Sequence, residues 1–116
     1  MSDHKVQVTF ERAGRPQFTF NCDAVRMTGP GKIMLHKDPP NATWEFTGGR
    51  MASDPLEQFF FAVRGQQLHI INEFKNKAQD GPAAYCYMIT VKDATGLMES
   101  PDPVIVNDPG ARLEES

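Results

Sequence analysis

The sequence has 116 residues with a net charge of −3, and 23% of them are charged, values ordinary for one soluble domain. The absence of a basic run argues against nucleic acid as a partner. No apolar stretch approaches the roughly 20 residues that span a bilayer, so we expect no membrane partner.

The N-terminus and the cysteine content predict a cytoplasmic protein. Residues 1–5 lead directly into an alternating strand and contain no apolar signal core. The two cysteines, Cys22 and Cys86, are too few for a disulfide scaffold.

The first strands are predicted by alternation of apolar and polar residues. Residues 5–11 alternate in this way, and Ala13–Pro16 has the composition of a turn. Residues 17–22 form a second alternating segment, which can pair with the first as a hairpin.

Two further strands follow, separated by a proline-containing break. Residues 32–36 place Ile33 and Leu35 inward, with Met34 and His36 outward. The two prolines within residues 37–41 cannot continue a central strand, because proline has no N–H to donate. After this break Trp44 and Phe46 share one face of another strand.

Residues 54–65 carry two competing patterns. Asp54 and Pro55 are residues typical of a helix N-cap and of a first helical turn, and the spacing of the apolar residues that follow is helical. The run 59–63 is also aromatic and β-branched, and Arg64-Gly65-Gln66 resembles a hairpin turn. We favour one helical turn followed by a strand, with a longer helix as the alternative.

The last third of the chain carries the clearest alternation. Residues 68–74 predict a strand, and residues 75–82 a polar loop. Residues 84–92 then place two tyrosines, an isoleucine and a valine on one face, and a second apolar strand follows at 104–106. Such a pair is typical of the closing hairpin of a small β-sandwich.

About eight short strands with turn residues between them predict an all-β fold, an antiparallel β-sandwich of about 7–8 strands. We expect residues 1–110 to form this single domain. Residues 111–116 are predicted to be a flexible acidic tail.

The order Cys22, Trp44, Cys86 resembles the Cys…Trp…Cys pattern of immunoglobulin domains. Parity places Cys22 on the core side of its strand and Cys86 on the opposite side of its own. The tyrosine-corner position is occupied by Ala84. These departures favour two free thiols over a disulfide.

Cys86 also suggests a cupredoxin-like metal site, with Met98 downstream and His36 or His69 upstream. The histidine that this family requires downstream of its cysteine is missing. We therefore expect no metal and no cofactor, and two solvated histidines. A metal-binding or redox protein using Cys86 with His36 or His69 is the alternative function.

Catalytic motifs are absent from the sequence. No serine lies in a Gly-x-Ser-x-Gly elbow, so we predict that the protein is not an enzyme and assign no catalytic residue. Four Asp-Pro pairs are typical of turns and strand ends. The functional alternative is a polar site shaped by Asp102 and Asp108, which flank the last strand.

Several apolar residues are predicted to face away from the core. If loops do not cover them, they form a patch of the kind that marks a subunit or partner interface. This predicts a homodimer or a protein partner bound through an apolar outer face. The predicted set is Met34, Phe60, Ile71, Met88 and Ile105.

Three segments resemble those of the DP-EP family, small bacterial proteins of unknown function: Trp44–Gly48, Tyr85–Val91 and Asp102–Pro109. The resemblance implies an immunoglobulin-like sandwich, and it carries no catalytic residues. Together with the apolar patch, it leads us to expect a non-catalytic binding or assembly module.

Overall fold

Ten alternating segments form two β-sheets that pack face to face in the computed structural model, which describes residues 2–12 and 17–110. The predicted turn Ala13–Pro16 and the tail 111–116 lie outside the described residues. A short 3-10 helix spans Ala78–Asp80. The strands are β1 Ser2–Glu11, β2 Gln17–Phe20, β3 Ala24–Met27, β4 Gly31–Lys37, β5 Glu45–Met51, β6 Phe59–Arg64, β7 Gln67–Asn72, β8 Ala83–Asp93, β9 Gly96–Glu99 and β10 Val104–Asn107.

The two sheets have five strands each. The first has the order β2-β1-β4-β7-β6, and the second has the order β3-β10-β8-β5 with β9 also beside β8. The predicted all-β sandwich is confirmed. Two pairings, β1 with β4 and β3 with β10, are parallel, so both sheets are mixed and not wholly antiparallel.

The described residues form ten strands where the sequence predicted seven or eight. The two that were missed, β3 and β9, have four residues each. β2 and β10 are equally short, but they contain phenylalanine, valine and isoleucine, which favour strands, whereas β3 and β9 include alanine, arginine, glycine and glutamate.

The core lies between the sheets and is made by the inward-facing residues that alternation predicted. Val6 and Val8 of β1, and Ile89 and Val91 of β8, are fully buried. Trp44 is buried with them just before β5. Burial of each such side chain contributes roughly 1.5–3 kcal/mol, so this shared interior is the main reason the sheets stay together.

Residues 54–65 form a hydrogen-bonded turn, a strand and a tight hairpin. The favoured strand is confirmed, whereas the turn before it is not helical, and a longer helix is not found. Glu57 N–H donates to Asp54 O (3.0 Å) and closes the turn. The Asp54 carboxylate then accepts from the N–H groups of Gln58 and Phe59, which removes the donors a helix would use. Gly65, at φ +61, turns the chain into β7.

Candidate interaction surface

The outer face of the first sheet carries a grid of side chains from four neighbouring strands. Strand registers align the side chains of β1, β4, β7 and β6 in three rows across the sheet. We call this grid the outer face. Its rows are Asp3, Lys32, Ile71 and Phe60; Lys5, Met34, His69 and Ala62; Gln7, His36, Gln67 and Arg64.

One corner of the outer face is apolar and open. Phe60 of β6 lies directly opposite Ile71 of β7, and they are 48% and 40% exposed. A groove of about 510 Å³ begins beside Ile71 and extends to Lys32 and Pro30. Two large exposed apolar residues that lie opposite each other on paired strands, next to a groove, are typical of a binding surface.

The rest of the outer face is cationic. Lys5, Lys32 and Arg64 contribute three positive charges against the one carboxylate of Asp3, on a chain whose net charge is −3. Burial lowers the pKa of His69, and the nearby charges of Lys32 and Arg64 lower it further. His69 is therefore neutral at pH 7, and its ring contacts the amide oxygen of Gln67 at 3.0 Å.

A polar groove of about 310 Å³ borders the outer face beside the β6–β7 turn. It is lined by Lys5, His36, Lys37, Pro40, Gln66 and Gln67. Lys37 is only 7% exposed, and its ammonium group donates to the Ala42 carbonyl at 2.9 Å. Within the described chain Lys37 forms no ion pair. Because this groove has basic and amide groups and no acidic lining residue, it favours an approaching carboxylate.

The outward apolar residues predicted from the sequence are only partly brought together. Met34, Phe60 and Ile71 share the outer face, as expected. Met88 lies on the outside of the second sheet and is nevertheless buried, since Arg50 opposite it reaches across β8 to Glu99.

The assignment of Ile105 to the outside is wrong. Ile105 is fully buried and lies opposite Val25 and Tyr85, both on the core side of the second sheet. The strand Val-Ile-Val-Asn is apolar on both faces, and buried Asn107 shares the face of Ile105. Alternation therefore provided no signal for which face points inward.

The ligands of the metal-site alternative do not converge. Cys86 lies on the outer side of β8 in the second sheet, whereas His36 and His69 lie on the outer face of the first, across the sandwich. Met98 packs against the core. In the parts of the chain that the structure describes, no group of three His, Cys, Asp or Glu residues is placed to hold a metal ion.

The aspartates and cysteines singled out in the sequence do not form a site. Asp102 and Asp108 lie beyond opposite ends of β10, and the Asp108 carboxylate is paired with Arg26. Cys22 and Cys86 are both free thiols, as expected. Cys22 Sγ donates to the Ala24 carbonyl at 2.9 Å.

The cationic cluster was missed by sequence reasoning. Lys5, Lys32 and Arg64 come from three strands and are far apart in sequence. Parallel pairing of β1 with β4 sets Lys5 diagonally across from Lys32, since their direct partners are Met34 and Asp3. A search for basic runs cannot find such a cluster, because its members become neighbours only through strand order.

No protein-family model matches this chain, and no curated protein sequence matches it. None of the helices in residues 2–12 and 17–110 has the length and apolar character needed to cross a membrane.

Proposed function

We propose that this protein is a non-catalytic binding or assembly module that holds a protein partner on the outer face. The observation that carries the proposal is the exposed Phe60–Ile71 pair beside Lys32, on a face that also carries Lys5 and Arg64. Phe60 and Ile71 offer apolar area, which supplies most of the binding free energy in protein interfaces. Lys5, Lys32 and Arg64 favour an acidic partner surface and speed its approach.

A protein fits this surface better than a nucleic acid does. The three cations lie in three different rows of the outer face, beside an apolar corner, and do not form a stripe that follows a phosphate backbone. The resemblance to the DP-EP family, which implies no activity, supports a non-catalytic role. The two free thiols support a reducing, cytoplasmic location.

Site-specific photo-crosslinking in the source cells tests the proposal. A photoreactive phenylalanine analogue at position 60 is compared with the same analogue at Thr19, which is exposed on β2 at the opposite edge of the sheet. We expect protein adducts at position 60 and few at position 19. Lys32→Glu should abolish the adducts, because it reverses a charge beside Ile71.

Lys92→Glu is the matched control, since Lys92 is an exposed lysine of β8 in the second sheet. It should leave the adducts at position 60 unchanged. Equal labelling at positions 60 and 19, or equal effects of the two charge reversals, would contradict binding at the outer face. A nucleic acid attached at position 60 would overturn the choice of a protein partner.

A further inference from the structure

The free edge of β6 differs from every other sheet edge in the described chain. It is six residues long, Phe59–Arg64, with no proline, glycine or bulge, and its single charge is at the end. Strands β2, β3 and β9 have only four residues. The edge of β5 is interrupted by a bulge at Phe46/Gly48. The part of β1 beyond β2 carries Asp3 and Lys5.

Natural sheets protect their edges with short strands, bulges, charges and prolines, because an open edge pairs with another chain. The edges of β1, β2, β3 and β5 have such protection. That of β6 is protected only at its ends, by the Asp54 bond to Phe59 N–H and by the charge of Arg64, and its sequence Phe-Phe-Phe-Ala-Val-Arg has strong β propensity. An open apolar edge of this length is suited to receiving a strand.

The peptide groups of β6 alternate between β7 and the free edge. The two residues that flank the two-residue turn, Arg64 and Gln67, form a hydrogen-bonded pair. Every second residue of β6 is bonded to β7 in the same way, so Phe60, Ala62 and Arg64 direct their N–H and C=O groups toward β7. Phe59 N–H points the other way and donates to the Asp54 carboxylate at 3.0 Å. Phe61 and Val63 share this outward direction, and no backbone bond joins them to another described element.

We infer that β6 pairs antiparallel with β6 of a second copy of this chain. One register uses both free N–H groups: Phe61 opposite Val63 of the partner subunit, with the two-fold axis at Ala62. This register forms four hydrogen bonds through the Phe61 and Val63 peptides. A register centred on Phe61 would need Phe59 N–H, which Asp54 already occupies.

The side chains of β6 are self-complementary in this register. Phe60 and Arg64 stand two residues on either side of Ala62, on the same face. The two-fold axis therefore places exposed Phe60 opposite Arg64 of the partner subunit, twice, as cation–π pairs. Arg64 forms no ion pair within the described residues. Ala62 at the axis is small enough for the strands to approach closely.

Pairing in this way joins two five-stranded sheets into one continuous sheet of ten strands. It also covers Val63, which is 42% exposed. The two outer faces then lie side by side, so a dimer presents the proposed partner surface twice. The inference extends the proposed function: its hydrogen bonds run along the β6 edge, and Phe60 and Arg64 of the outer face add side-chain contacts.

Light scattering with a charge variant tests the inference first. The protein should have twice the 13.0 kDa chain mass at high concentration and dissociate on dilution. Ala62→Lys puts two like charges opposite each other at the axis, and should weaken the dimer by about tenfold or more. Thr19→Lys, the same type of change at the exposed opposite edge, should leave the dimer intact.

Disulfide trapping tests the register. Residues at a non-hydrogen-bonded antiparallel position have Cα atoms about 4.5 Å apart, within disulfide range. In a Cys22→Ser, Cys86→Ser background, Ala62→Cys should give a cross-linked dimer on mild oxidation. Thr19→Cys in the same background should stay largely monomeric.

The outcomes separate this inference from the proposed function. A wild-type monomer at all concentrations, or equal trapping at positions 62 and 19, would overturn the β6 dimer. Neither result affects heterologous adducts at position 60, which test the outer face. Loss of those adducts in Lys32→Glu with the dimer retained would support both statements. A misfolded Ala62→Lys variant, recognised by circular dichroism, leaves disulfide trapping as the deciding test.

Discussion

The two ends of the sandwich interior are built on opposite principles. At one end Phe10, Phe18, Trp44 and Phe46 form an aromatic cluster, with ring centroids 4.6–6.2 Å apart. At the other end the sheets meet through buried amides. Aromatic packing tolerates small shifts between sheets, whereas hydrogen bonds with fixed partners do not.

The amide end joins the two sheets directly. Asn72 of β7 donates to Asn107 of β10 at 2.7 Å, and Asn107 donates to Asn76 at 3.0 Å and to Gln58 at 3.3 Å. Asn76 in turn donates to the Tyr85 hydroxyl at 2.8 Å. Gln58, Asn72 and Asn107 are essentially inaccessible to solvent. This network therefore aligns the sheets, while the aromatic end supplies apolar free energy.

At the aromatic end, polar contacts of Arg12 join the two sheets at the surface. Arg12 lies over the Phe10 ring, 5.5 Å from its centroid, and donates to Asp93 at 2.7 Å and to the Gly96 carbonyl. This contact links β1 of the first sheet to the β8–β9 turn of the second. The Arg12 and Asp93 side chains are 25% and 16% exposed. A single ion pair at a protein surface adds little stability, so packing beneath it should dominate at this end.

Trp44→Ala should destabilise the protein more than any substitution at the amide end. Removing a buried tryptophan from between Phe10 and Phe46 leaves a cavity, and should lower the free energy of unfolding by about 3–5 kcal/mol. Urea denaturation measures it. A loss below that of Asn107→Ala would reverse the comparison of the two ends.

Asn107→Ala should lower the free energy of unfolding by about 2 kcal/mol, because Asn72 and Gln58 lose a buried partner. The control is Asn76→Ala, which removes a half-buried member of the network and should cost about half as much. Equal losses in urea denaturation would show that the buried Asn72–Asn107 contact has no special role.

Tyr87→Phe should stabilise the protein by about 1 kcal/mol. The Tyr87 hydroxyl lies between the two ends, fully buried, and has no hydrogen-bond partner within the described chain. Phenylalanine fills the same space without an unsatisfied polar atom. A lower melting temperature for Tyr87→Phe would indicate that the hydroxyl has a partner.

The same residue should make stability fall at alkaline pH. Burial raises the pKa of Tyr87 above its ordinary value of 10.0. The unfolded chain therefore releases this proton first, and stability is lost as pH rises above 10. Tyr87→Phe should lose less stability than the wild type over that range in urea denaturation. Identical pH profiles would contradict the assignment.

Asp93→Asn should change stability least among these substitutions, and it should mainly change how stability depends on pH. The hydrogen bond from Arg12 lowers the pKa of the Asp93 carboxyl. The ionised form is thus favoured in the folded state, so its contribution is present at neutral pH and is lost as pH falls through the carboxylate range. The variant should show a weaker acid dependence in thermal melts. If the melting temperature of the variant falls with acid as much as that of the wild type, the role of the Arg12–Asp93 hydrogen bond would be contradicted.

The sequence by itself determined the strands that are long enough to alternate, and the inward residues on them. Val6, Val8, Ile33 and Leu35 were predicted as core because a period of two places them on one face, and burial of apolar area decides which face. The sandwich class followed from the number of such strands.

Only the tertiary structure decided which strands are neighbours, and with them the surfaces. Parallel pairing of β1 with β4 brings Lys5 beside Met34, and the place of β6 at the end of its sheet leaves its edge open. The inward position of Ile105 depends on packing of its sheet against the first sheet. Alternation is a local property of one strand, whereas strand order, edges and clustered charges arise from contacts between residues distant in the chain.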